Sequence, residues 1–165
     1  MSQRVVKKVL SACWRSVPRS LQWRLLWFIN PKFNIGVTGI ILDSGHRILL
    51  LEHVYRRQFR WGLPSGWVKR GETIEAALRR EVKEETGLEI EISRVFSIKS
   101  GFQLRLEFIL IAKTSATELP KLGFEIISGE FFDIGSLPSG LLPDHRDILR
   151  SGAGQEHFGA LDYPN

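Results

Sequence analysis

The spacing of hydrophobic residues changes near residue 34. Before it the pattern is helical: Leu21, Leu25 and Phe28 fall at i, i+4 and i+7 on one face of a segment over 18–29, and a second short helix is expected over 2–16. Ser16 is the candidate cap between them, Pro18 suits a first helical turn, and Asn30-Pro31 stops the second helix. After it, apolar runs over 35–42 and 47–54 read as strands joined at the turn signal Asp43-Ser44-Gly45. Residues 55–72 read as a polar loop, and 73–86 return to helical spacing. Two further strands are expected at about 88–99 and 102–113, separated by Ser100-Gly101. A loop over 114–125, a last strand near 127–133 and a short helix from Pro143 to about Arg150 complete the pattern. The expected organisation is a helical extension over 1–33, a domain over 34–150 and a loose tail over 151–165 that holds three glycines.

The helix over 73–86 carries the candidate chemistry. Thr73 is its expected N-cap and Gly87 its stop. At 100° per residue Ile74, Ala77, Leu78 and Val82 form the core stripe. Glu85 falls within that stripe, Glu81 on its edge and Glu84 one turn from Glu81. A solvated acidic face braced by Arg80–Glu84 fits this spacing. A divalent cation fits it as well. Glu81–Glu85 is a like-charge i,i+4 pair, costing about 0.2–0.5 kcal/mol even in water, and hard carboxylate oxygens suit Mg²⁺ or Mn²⁺.

Composition narrows the class. With 43% apolar and 25% charged residues the chain is that of a globular protein. Its single cysteine, Cys13, excludes an intrachain disulfide framework and makes a reducing cytosol the natural compartment. Seven of the 23 basic residues (Arg4, Lys7, Lys8, Arg15, Arg19, Arg24, Lys32) lie in the first 33, where there is no acid. The remaining 16 face 18 acids, so the domain carries no basic excess and nucleic acid is not an expected partner. No apolar run approaches the roughly 20 residues of a membrane span. Leu10-Ser11-Ala12-Cys13 looks like a lipoprotein cleavage site, but Lys7 and Lys8 leave no apolar stretch ahead of it.

From Gly66 the chain runs five residues to Glu72, then seven to Arg80-Glu81-Val82-Lys83-Glu84-Glu85-Thr86-Gly87-Leu88. This resembles the Nudix box, G-x5-E-x7-R-E-U-x-E-E-x-G-U with U aliphatic, at all nine restricted positions over 23 residues. The resemblance extends over about 34–150. It implies an α/β fold, the Nudix α/β/α sandwich with a mixed sheet, here with an N-terminal basic helical extension. It also implies a metal-dependent hydrolase of the diphosphate linkage in a nucleoside diphosphate derivative: a nucleotide sugar, an ADP-ribose-like molecule or a (d)NTP. On that resemblance Glu81, Glu84 and Glu85 ligate Mg²⁺ (or Mn²⁺), Glu81 is also a candidate base, and Arg80 orients the carboxylates with Glu72 as its partner. Ser65 stands where the family commonly has a glycine that lends a backbone carbonyl to metal. Serine fits there only if φ is not positive.

Outside the box, Glu125 is a candidate base or ligand by the same resemblance, with Glu118 its competitor. Arg56, Arg57 and Arg60 lie where phosphates could reach them, Arg57 and Arg60 being the candidate substrate contacts. Trp61 and Trp67 are expected in the core, and His53 and His145 are expected to be structural. The region Phe102-Gln103-Leu104-Arg105 lacks the proline and tyrosine that mark ADP-ribose and diadenosine polyphosphate hydrolases. A catalytically silent binding module is the rival reading, opposed by the presence of all three box glutamates. Residues 1–30 are expected to dock on their own domain or in a homodimer, ahead of an anionic membrane surface.

Overall fold

The computed structural model of the protein describes residues 3–30, 32–101 and 104–153, with the backbone alone at 9, 10, 152 and 153. It divides into two compact units, Met1–Phe33 and Asn34–Asn165. The first holds α1 (Gln3–Ser16) and α2 (Arg19–Ile29). Ser16 does not cap α2: its hydroxyl donates back to the Ala12 carbonyl in the last turn of α1, at 3.0 Å. Pro18 holds the cap position instead, its carbonyl accepting from the N–H groups of Leu21 and Gln22.

The second unit is a mixed seven-stranded sheet. Its path joins β3 (Trp61–Gly62), β2 (Ile48–His53), β1 (Asn34–Leu42), β6 (Arg105–Lys113) and β5 (Glu91–Gly101). β4 (Ser65–Trp67) pairs with β1, and β7 (Ile126–Phe132) pairs with β2. β1 and β6 are parallel from Asn34↔Arg105 to Leu42↔Lys113, and the other pairs are antiparallel.

The continuous apolar runs of β1, β2 and β6 follow from burial on both faces. Val37, Ile41, Leu49, Leu51, Leu110 and Ala112 point to one side, where α3 (Ile74–Thr86) lays Ala77, Leu78 and Val82 against them. The alternate residues Ile40, Leu42, Ile48, Leu50, Ile109 and Ile111 face Ile148 and Leu149 of α4 (Pro143–Ala153). Gly39 lets α3 come close, because a Cβ there would lie 2.8 Å from a Leu78 methyl. Leu78 is fully buried; truncation of such a leucine costs about 2–5 kcal/mol. α3 is therefore clamped to the sheet, and its polar edge has a fixed position.

Several boundaries differ from expectation. The stretch over 55–72 is not all loop, since β3 and β4 form within it. Ser100 and Gly101 are not the turn: they pair with Leu106 and Arg105 as the end of β5. α4 continues through Ser151 to Ala153; the rest of the expected loose tail, with Phe102 and Gln103, lies outside the described residues.

Candidate active site

α3 is closed at both ends by local chemistry. The Thr73 hydroxyl accepts from the Ala76 N–H at 3.1 Å, and Gly87 ends the helix at φ 73°, its N–H donating to Lys83 O. That conformation is costly for residues with a Cβ and free for glycine. Between these ends Arg80 gathers the acidic groups. Its Nε donates to Glu72 Oε1 at 2.8 Å and its Nη2 to Glu72 Oε2 at 3.0 Å, a bidentate pair. Nη1 donates to Glu81 at 2.7 Å and Glu84 at 3.4 Å, and Nη2 also reaches the Trp67 carbonyl at 3.0 Å. The hydrogen bonds from Arg80, then that from the Lys69 N–H, hold the Glu72 carboxyl well below the usual range.

Glu85 has no such partner. Among the described residues, the buried side-chain atoms without a hydrogen bond are its Oε2, Arg56 Nη1 and His53 Nε2. Burial pushes the Glu85 carboxyl up to about 8, reinforced by the Glu81, Glu125 and Glu84 charges and opposed by Arg56. Such a group is costly unless a cation joins it.

Glu81, Glu85, Glu125, Arg56 and His53 share one cleft of about 430 Å³, and Glu84 lines an adjoining one with the same three glutamates. His53, Tyr55 and Arg56 line the first from the end of β2, Ser65, Gly66 and Trp67 from β4, Glu81 and Glu85 from α3, and Arg105 and Glu125 close it. The donor set suits a hard divalent cation, because anionic oxygens surround the place where Glu85 lacks a partner. Among the described residues, no three His, Cys, Asp or Glu side chains close into a ligand cage. Arg80 holds Glu81 and Glu84 in ion pairs. Ser65 lies in β4, and among the described residues the positive-φ positions outside glycine are His46, Phe59 and Leu104. The backbone at Ser65 is thus one that serine adopts freely.

Gly66 has a steric reason to be glycine. A Cβ there would overlap the Glu81 carboxyl. Gly66→Ala is expected to displace Glu81 and lower turnover about a hundredfold, as misplacement by an ångström does, with the helix content unchanged. Wild-type turnover in this variant would show that the contact is dispensable.

Glu125 and Glu118 separate in space. Glu125 lines the carboxylate cleft, its carbonyl accepting from the Val54 N–H at 2.9 Å. Glu118 lines a different cleft with Arg47 and Glu130. The Gly123 N–H donates to Glu85 O at 2.8 Å and brings that loop onto α3. The arginines separate as well: Arg56 is half-buried in the cleft, Arg57 is exposed, and Arg60 is turned to Glu52 at 3.4 Å. Trp61 packs edge-on to Phe132, as expected of a core residue. Trp67 does not: it is 51% exposed, because β4 turns it outward beneath the Arg105 guanidinium, 4.6 Å from the ring centre.

Sequence reasoning does not place His53, Tyr55 or Arg105 in the cleft. The alternation Leu49, Leu51, His53 is the signal for the first, since it continues the face of β2 that meets α3. For Arg105, at the start of β6, only the tertiary pairing reveals the position.

His145 is structural, its Nδ1 accepting from the Leu63 N–H at 2.9 Å. Burial, with the Arg56 charge next, pulls its imidazole down to about 3. The folded state thus binds fewer protons than the unfolded state between pH about 6.5 and 3, and stability falls as the pH is lowered through that window. His145→Gln should flatten this acid limb by roughly 2–4 kcal/mol, read as the difference between the two proteins' denaturation curves against pH. Parallel curves would remove His145 from the account.

The comparisons with known proteins agree with this geometry. The model of the NUDIX domain matches residues 32–151. An ADP-ribose pyrophosphatase of Methanocaldococcus jannaschii is 35% identical over 132 residues, covering 74% of this chain and 73% of that protein. An 8-oxo-dGDP phosphatase of Homo sapiens is 35% identical over 78 residues, covering 47% of this chain and 24% of that one. Plant, human and bacterial relatives are longer, and the matched stretch spans 22% to 43% of their length. Among solved structures, a NUDIX hydrolase from Nitrosomonas europaea has the same fold, with a TM-score of 0.69 at 21% identity over 79% of this chain and 75% of that one. With its box arrayed along α3 and beneath β4, the chain belongs to the Nudix family and is a hydrolase of a phosphoric anhydride.

Proposed function

We propose that the protein is a Mg²⁺- or Mn²⁺-dependent pyrophosphohydrolase that cleaves the diphosphate linkage of a nucleoside diphosphate joined to a second group. The observation that carries this reading is Glu85, whose buried Oε2 lacks a partner while the charges of Glu81, Glu84 and Glu125 surround it. Glu81, Glu84, Glu85 and the Ser65 carbonyl would hold the cation. When bound, the cation neutralises phosphate oxygens and acidifies water, so that attack at phosphorus becomes feasible near neutral pH.

The chain's own groups do the rest. Arg80 orients Glu81 and Glu84, and Glu72 orients Arg80 through its two-point contact. Glu81 and Glu125 are the carboxylates able to accept the proton of the attacking water, as both face the cleft. Arg56 lines the cleft and its guanidinium is the one placed to meet a phosphate oxygen, a role the geometry supports better for it than for the exposed Arg57 or for Arg60, which is turned to Glu52. The exposed Trp67 ring offers a surface at the cleft for a flat group.

ADP-ribose is the first substrate to test, because the Methanocaldococcus jannaschii relative acts on it and matches most of both chains. The test is product analysis over ADP-ribose, nucleotide sugars, dinucleotides and oxidised dNTPs with each metal. Cleavage to a nucleoside monophosphate supports the reading, and release of inorganic phosphate from monoesters alone would overturn it.

A further inference from the structure

We propose that the N-terminal helix pair is a peripheral anchor that seats on an anionic bilayer, with α2 sunk into the interface and the cations at the headgroups. α2 differs from an ordinary surface helix. Seven of its eleven residues are apolar, they occupy nearly its whole circumference, and none is buried. Trp23, Trp27, Phe28 and Ile29 are exposed by 62% to 76%. A helix apolar all round needs an apolar medium, yet eleven residues reach only about 16 Å, half the hydrocarbon thickness. Among the described residues no helix is long and apolar enough to cross a membrane. A helix too short to span and rich in exposed tryptophan is suited to the interface, where tryptophan is favoured.

Charge selects the occupant. Residues 1–33 hold seven cations and no acid. On α1 the four basic residues fall within an arc of about 100°, with Val5, Val6 and Trp14 on the remaining side. Gln22 Nε2 fastens the connection between the helices by donating to the carbonyls of Trp14 at 2.6 Å and Val17 at 3.0 Å. Lys32 Nζ rests 4.2 Å from the centre of the Trp27 ring, keeping a cation beside an interfacial indole. A second copy seated on α2 would bring seven more cations to seven, with nothing to compensate them. An anionic headgroup layer compensates them all, and stable anchoring needs both signals, apolar area and polybasic charge. The sequence weighs docking above membrane contact. The apolar composition of α2 and the unbroken positive charge of residues 1–33 add weight to the membrane.

The test is co-sedimentation of the full chain with phosphatidylcholine vesicles, with and without phosphatidylglycerol, at low and high salt. Two variants accompany it: the charge reversal Arg4→Glu/Lys7→Glu/Lys8→Glu, which leaves the apolar faces intact, and Trp23→Ser/Trp27→Ser/Phe28→Ser. Binding is expected only with the anionic lipid and to weaken with salt. Each cation near the surface contributes about fivefold, so the charge reversal should weaken binding more than a hundredfold, and the aromatic variant should abolish the vesicle-induced blue shift of tryptophan emission. Circular dichroism checks that both retain their helices. Failure of the full chain to bind anionic vesicles overturns the proposal, as does equal binding to zwitterionic ones or indifference to both variants. Self-association abolished by the aromatic variant, or RNA binding abolished by the charge reversal, without vesicle binding would assign the surface to that partner instead.

Discussion

Glu85→Gln is expected to lower turnover by well over a hundredfold while raising the melting temperature of the metal-free protein. Both effects follow from one circumstance: in the absence of a cation this carboxyl is buried, lacks a partner at Oε2 and faces three other acids. Losing even an outer partner of a metal ligand costs about 10–100-fold, so removing a ligand charge should exceed that. The amide, in contrast, ends the charge crowding. A gain of about 2 kcal/mol is reasonable for a group shifted this far by burial and like charges, or roughly 5 °C for a chain of this size. Calorimetry in chelator, then with metal, separates the two. Metal should raise the wild-type melting temperature and leave that of the variant nearly unchanged. Near-normal turnover in both Glu84→Gln and Glu85→Gln would sink the assignment.

Arg80 carries the second large effect. One guanidinium meets Glu72, Glu81, Glu84 and the Trp67 carbonyl. Arg80→Ala leaves three carboxylates without their common partner, and is expected to lower stability by about 2 kcal/mol and metal affinity about 10–100-fold. Lysine should not restore it, because an ammonium cannot reproduce a planar fork with two parallel contacts to Glu72. Glu72→Gln should be milder, since it leaves the Glu81 and Trp67 contacts in place. Metal titration alongside turnover checks this. Full affinity in Arg80→Lys would show that charge alone is needed, and the positioning role would fail.

Much of this site is legible in the order of residues alone. The spacing from Gly66 to Leu88 names the box, and Thr73 and Gly87 bound its helix because capping depends on adjacent residues alone. β1, β2 and β6 are legible because burial on both faces leaves uninterrupted apolar runs. β3 and β4 are not, because two or three residues cannot display a period of two. Trp67 resembles core by its hydrophobicity, yet its exposure is decided by which way β4 faces when it pairs with β1. The choice between Glu118 and Glu125 rests on Gly123 meeting the last turn of α3, a contact that loop composition does not reveal. Arg56, Arg57 and Arg60 look alike in sequence and part company only through the path of the chain after β2.

The most direct test of the catalytic reading is hydrolysis of the diphosphate panel in ¹⁸O-labelled water, comparing Mg²⁺, Mn²⁺ and chelator with wild-type protein and Glu85→Gln. At least one nucleoside diphosphate derivative should be cleaved between its phosphorus atoms, with the label in a phosphate product, only with a divalent cation and more than a hundredfold faster by the wild type than by Glu85→Gln. Cleavage that persists in chelator, wild-type rates in Glu85→Gln, or no cleavage of any member with either metal, would contradict it.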